Sequence, residues 1–199
     1  MNYLAHSYLS FSDEQIAGQF LQDHIRNSDR FSFSKKIQQG IALHRAIDTF
    51  TDSHPEIHQA KKIFSPLVRL YAGAFVDVAM DYFLANSLPD EALHSHSLHV
   101  YKVLRHHQDL FPPHFGNMLN HMERDNWLYH YKEESGIRFS MQNVLNKARY
   151  LDIDLPVFQI FSDSKPRLKE HFDAFFPDLT GYVSTLNESF QHTDRPFEI

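Results

Sequence analysis

The chain has no cysteine in 199 residues, which excludes both a disulfide framework and a thiolate metal site. Glycine is scarce, at six residues, and runs of alternating Val, Ile and Thr are nearly absent, so nothing reads as a sheet. No apolar run reads as long enough to cross a membrane, and Met1-Asn2-Tyr3-Leu4-Ala5-His6-Ser7 lacks the basic start and apolar core of a signal peptide. The expected compartment is the cytoplasm. Basic residues are in deficit, 19 against 25 acidic, for a net charge of −6. That argues against a general nucleic-acid binder, which needs a basic face to displace counterions.

Apolar residues instead recur at helical spacing throughout. We expect an all-α fold in one compact domain spanning 1–199, without repeats or low-complexity linkers. Asn2 is placed to cap a first short helix through Ser10. Ser12-Asp13-Glu14-Gln15 is a capping box opening a helix to about Arg26. Ser34 caps the next helix, which His54-Pro55 ends. Pro55 to Phe64 reads as a short helix, and Ser65-Pro66 as the start of a long one. Later helices are expected after Pro113 and from Arg138 to Tyr150. The last is interrupted at Phe176-Pro177, with a polar tail after Gln191.

Within this pattern, ionisable groups stand where apolar ones are expected. One stripe runs Ile37, Ile41, His44, Asp48; another runs Leu67, Leu70, Ala74, Asp77, Asp81, Leu84. Residues four apart lie about 40° apart around a helix and roughly 6 Å along it. His44 and Asp48 therefore point one way, as do Asp77 and Asp81. Asp23 intrudes likewise on the stripe of Ile16 and Phe20, unless it serves as a flank carboxylate for Arg26. Burying ionised carboxylates costs several kcal/mol unless they are paired or bound to metal. Oxygen and imidazole donors together suit Mn, Fe, Zn or Mg. The alternative is a core network of salt bridges and caps. His6, in the first helix, is either a ligand or an ordinary buried histidine. Five histidines from His94 to His107 are discounted as a site: His94, His96 and His99 do not share one helical face, and no carboxylate accompanies them at ligand spacing.

Arg26, Arg30, Lys35 and Lys36 cluster at a loop between two of the site-bearing helices, either as solvated surface or as a docking point for an acidic partner. Arg45 is turned about 100° from His44, within reach of a phosphate or of a neighbouring side chain.

A helical site lined by His and Asp resembles the HD phosphohydrolase superfamily, although the adjacent His-Asp pair of that superfamily is missing: His44 and Asp48 are four apart. A closer resemblance is to the acyl carrier protein phosphodiesterase family. It is carried by Met1-Asn2-Tyr3-Leu4-Ala5-His6, by the Gly18-to-Asp23 spacing followed by Arg26, and by Gly40-Ile41 with His44-Arg45, Ile47-Asp48 and Thr51-Asp52. Asp77-Val78 with Asp81 and Phe83-Leu84, Trp127-Leu128 with Tyr131, and Gln142-Asn143-Val144-Leu145-Asn146 extend it to about residue 185. The resemblance implies hydrolysis of holo-acyl carrier protein to apo-carrier and 4′-phosphopantetheine, with manganese or magnesium (or iron) as cofactor. On this reading His44, Asp48 and Asp77 are the expected ligands, with Asp23 and Asp81 as ligands or carboxylates orienting water. His6 is ligand or acid, Arg26 and Arg45 balance phosphoryl charge, and Arg26, Arg30, Lys35 and Lys36 meet the acidic carrier. Other readings are a phosphohydrolase of a nucleotide or small phosphodiester, and a non-catalytic helical binding module.

Overall fold

The computed structural model describes residues 1–191; the expected polar tail lies outside the described residues. These are all-α, with no strand among them. The helices are α1 (Tyr3–Tyr8), α2 (Asp13–Leu21), α3 (Lys35–Ser53), α4 (Pro55–Val68), α5 (Ala72–Ser87), α6 (Asp90–His106), α7 (Pro113–Arg124), α8 (Trp127–His130), α9 (Glu134–Lys147) and α10 (Val157–Gln191). Short 3-10 turns at Gln22–His24 and Asn27–Ser32 join α2 to α3, and Arg69–Tyr71 joins α4 to α5.

Local chemistry sets the boundaries. The Ser12 hydroxyl accepts from the Gln15 N–H at 3.2 Å, and the Gln15 side chain reaches back to the Phe11 N–H at 2.8 Å. Ser34 caps α3 through the Ile37 N–H. His54 both ends α3 and caps α4, its Nδ1 accepting from the Glu56 N–H. The prolines depart from expectation. Pro66 lies in the last turn of α4 instead of opening a helix, and α10 runs unbroken through Pro166 and Pro177. Both prolines of α10 are exposed, so water can serve the carbonyls they leave unpaired. Meanwhile Phe161, Leu168, Phe172, Phe175, Leu179 and Val183 keep a continuous buried stripe.

Helix α10 packs across α3, α4 and α5, while α2 lies between α3 and α6. Phe20, Phe64, Phe75, Phe115, Phe161 and Phe175 fill the core. The segment Pro55–Ser87 contains an 18-residue window of mean hydropathy 1.4, enough by length and composition for a membrane span, where none was expected. In the fold it is broken at Arg69–Tyr71, and Ile57, Ala60, Phe64, Phe75 and Ala79 are buried among other helices.

The crossing of α2 and α3 positions the site. A Cβ on Gly18 would stand 2.3 Å from the Ile37 carbonyl oxygen, and one on Gly40 would stand 2.3 Å from that of Gln15. Each helix thus presses a glycine into the other's backbone, which brings the end of α2 alongside His44. Gly40→Ala must push two backbones apart and is expected to cost about 3 kcal/mol, read as a lowered midpoint in urea denaturation.

Candidate metal centre

Three ligand-type side chains converge. His6 Nε2 is 3.3 Å from Asp48 Oδ1, and His44 Nε2 is 3.2 Å from Asp48 Oδ2. The imidazole rings stack, centroids 3.9 Å apart and 7° from parallel. Asp23, in the turn after α2, places Oδ1 3.5 Å from His44 Nε2. These groups line a cavity of about 240 Å³, with Tyr3, Thr51, Asp52 and Asp77 also on its wall. Among the described residues, His6, His44 and Asp48 are the group of three or more such side chains close enough to share an ion.

The hydrogen bonds define which way the histidine protons point. Gln19 is fully buried. Its Nε2 donates to the His6 carbonyl at 2.6 Å and to Ser10 Oγ at 2.9 Å, so its Oε1 is the acceptor facing His6 Nδ1 at 2.8 Å. His6 therefore carries its proton on Nδ1, and the Nε2 lone pair points at a carboxylate. Two acceptors in that position need a positive charge between them, either a second proton or a cation. Burial lowers the His6 pKa, and the neighbouring His44 adds to the effect, against the pull of Asp48. Burial alone would raise the Asp48 pKa; a proton carried toward it by His44 or His6 pulls it down, so the carboxylate stays ionised wherever positive charge sits between it and the rings. A neutral imidazole aimed at an ionised carboxylate, with its far nitrogen fixed by an amide, is the donor arrangement that metal sites use. His44 Nδ1 is buried without a partner. The residues present therefore fit a divalent cation of the Mn or Mg class.

The other expected site residues are distributed as follows. Asp77 lines the cavity and accepts from the Met1 ammonium at 3.0 Å. Asp81 does not line it. It is fully buried, and its two oxygens accept from the backbone N–H groups of Asn2, Leu4 and Ala5 at 2.8 to 3.3 Å. It thereby caps α1, a task expected of Asn2, whose side chain makes no such bond. Burial pushes Asp81 up to about 7, against those three donors. Arg45 donates from Nε to Gln22 Oε1 at 3.0 Å, next to Asp23. Its pKa is lowered by burial and by nearby Arg30. Arg26 is exposed, and its backbone N–H donates to Asp29. Lys36 pairs with Glu14 at 3.5 Å, and Arg30 donates to Asn27 at 2.7 Å. None of these basic residues lines the cavity. The discounted histidines lie on or just after α6, with His94, His99 and His106 exposed.

Sequence reasoning missed Gln19 and Thr51. Gln19 is four residues before Asp23 and three after Ile16, so a polar residue on that face was the available signal. Thr51, whose buried Oγ1 has no partner, follows Asp48 by three on α3.

Two outcomes follow from this geometry. Asp81→Ala strands three buried donors and is expected to cost about 3 kcal/mol, measured by urea denaturation. A cation held by the folded site adds about 2.7 kcal/mol at 100 times its Kd. Mn²⁺ should therefore raise the melting temperature of the native chain and leave that of Asp48→Asn unmoved; a native chain indifferent to Mn²⁺ and Mg²⁺ would remove the cation.

Comparison with known proteins bears on the same residues. The family model described as acyl carrier protein phosphodiesterase matches residues 1–179. A protein of that name from Yersinia enterocolitica is 30% identical over 184 residues, covering 90% of this chain and 95% of the relative. Another from Enterobacter sp. (strain 638) is 29% identical over 189 residues, covering 90% and 95%. A third from Salmonella paratyphi A is 29% identical over 197 residues, covering 96% and 93%. No solved structure matches the chain. With the match running from α1 to within α10, through every wall of the cavity, the chain belongs to the acyl carrier protein phosphodiesterase family.

Proposed function

We propose that this chain hydrolyses the phosphodiester that joins 4′-phosphopantetheine to the serine of holo-acyl carrier protein, acting in the cytoplasm. The observation that carries the mechanism is the Nε2 lone pair of His6 aimed at Asp48 with Gln19 locking the opposite nitrogen. His6, His44 and Asp48 would hold a divalent cation, Mn²⁺ or Mg²⁺, with Asp23 beside them. Such a cation supplies charge against the phosphoryl oxygens and acidifies water.

The reaction breaks the bond between phosphorus and the serine oxygen and forms one to a water oxygen; the serine oxygen takes up a proton. His6 is poorly placed to give that proton, because Gln19 holds its Nδ1–H and Asp48 faces its other nitrogen. This supports a ligand role for His6 over an acid role. Asp23 and Asp77, on the cavity wall, are carboxylates able to orient the attacking water and accept its proton. Tyr3, also on the wall, has its hydroxyl pushed up to about 12 by burial and by Asp23. It stays protonated through the neutral range, and its weak bond to Met118 Sδ at 4.0 Å is one it can give up to a phosphate oxygen. Asp81 acts one step removed, by holding α1 and so His6. Arg45, held by Gln22 next to Asp23 and with Arg30 near enough to lower its pKa, adds positive charge behind the cavity wall. Arg26, Lys35 and Lys36 extend that field and steer an acidic carrier inward.

The test is the intact mass of holo-acyl carrier protein after incubation with the chain and Mn²⁺. Conversion to apo-carrier is expected, reduced to background by Asp48→Ala and about 10- to 100-fold by Gln19→Leu. An unchanged carrier alongside turnover of a nucleotide phosphodiester would move the substrate to the small-molecule class.

A further inference from the structure

The junction of α4 and α5 is built unlike the rest of the surface. Arg69 has φ 51° and ψ −122°, one of two non-glycine residues with positive φ among those described. Such a backbone is strained for any residue with a side chain. Its result is the position of Leu70. Val68 and Ala72 on either side are buried, yet Leu70 is 100% exposed. The sequence stripe that placed Leu70 in the core assumed a helix continuous from Pro66, and the turn at Arg69–Tyr71 rotates it out.

Leu70 stands at the edge of a groove of about 540 Å³ whose rim carries Lys61, Lys62 and Arg69 and whose floor is Ala72, Gly73 and Ala74. Lys61 is committed to Asp52 at 2.7 Å, and Lys62 donates to Gln59. Among the described residues no carboxylate pairs with Lys62 or Arg69. The groove also opens onto the candidate metal centre, since Asp52 and Asp77 line both spaces.

We propose that this lip is the docking surface for the protein substrate: Leu70 inserts into an apolar pocket of the partner while Lys62 and Arg69 meet its carboxylates. The proposal rests on the carrier-hydrolase reading for the partner's identity. Its logic is distance. The scissile phosphorus is one bond from an oxygen on the partner's surface, so the partner must touch the rim of the cavity. The α4–α5 lip shares two wall residues with that cavity, whereas Arg26, Arg30, Lys35 and Lys36 share none. An exposed apolar anchor beside Lys62 and Arg69, two cations without a carboxylate partner among the described residues, fits an acidic helix that carries its own apolar spots. Strain that holds a leucine in water is offset when a partner covers it.

The experiment separates docking from chemistry. Apo-acyl carrier protein is titrated against the native chain, Leu70→Ser, and a Lys62→Glu/Arg69→Glu double variant. Hydrolysis of bis(p-nitrophenyl) phosphate with Mn²⁺ is followed in parallel. Both variants are expected to bind the carrier at least tenfold more weakly, to show a raised KM on holo-carrier, and to cleave the small diester at the native rate. Native-like affinity in either variant overturns the docking surface. So does a native chain that binds no carrier, or a loss produced only by reversing Arg26, Arg30, Lys35 and Lys36. Lip-dependent binding of a carrier whose holo form is never cleaved would instead overturn the hydrolase reading and leave the docking surface standing.

Discussion

Asp48 spans two imidazoles that lie flat against each other, and the rest of the site follows from that contact. Both rings are buried and stacked too closely for both to be charged, yet each offers a nitrogen to the same carboxylate. Two buried imidazole nitrogens facing one half-exposed carboxylate are unfavourable without a compensating positive charge between them. Its persistence depends on the scaffold: the two glycines that let α2 and α3 touch backbones, and the buried Gln19 that fixes one imidazole from behind. The cation reading is thus a statement about charge balance.

Asp81 and Asp77 show how one spacing can serve two ends. They are four apart on α5 and project from one face. A turn of helix separates a half-exposed carboxylate on the cavity wall from one enclosed by three backbone donors. The second converts the buried charge problem into a tether for α1. The cavity wall and the chain anchor are therefore carried by consecutive turns of the same helix, and the anchor determines where His6 sits.

The helical class and the clustered groups were legible because periodicity, and charge on an otherwise apolar stripe, are local signals; the burial expected of the aspartates does not hold, since Asp23 and Asp48 are about half exposed at the cavity mouth. His44, Asp48 and Asp23 intrude on their stripes and do meet in space. What was not legible depended on partners remote in sequence. Asp81 carries the same local signature as a ligand; only the arrival of α1, some 77 residues earlier in the chain, makes it a cap. Gln19 shows in sequence only as a polar residue on an apolar face; its role comes from the His6 carbonyl beneath it. Pro66 and Pro177 misled because proline breaks a helix only where the freed carbonyl cannot reach water or the buried stripe also stops. Leu70 was misassigned through the same error at Pro66, which shifted the helical register past the turn.

Helix α1 has six residues, too few for a helix to persist unaided in water. It stays in place because α5 lends it a carboxylate and the core receives Leu4 and Ala5. Since it delivers one of the three converging donors, the leading segment cannot detach without dismantling the site. Any ion held by those three donors would bind only while that segment is attached, so its presence would slow amide exchange at Leu4 and Ala5.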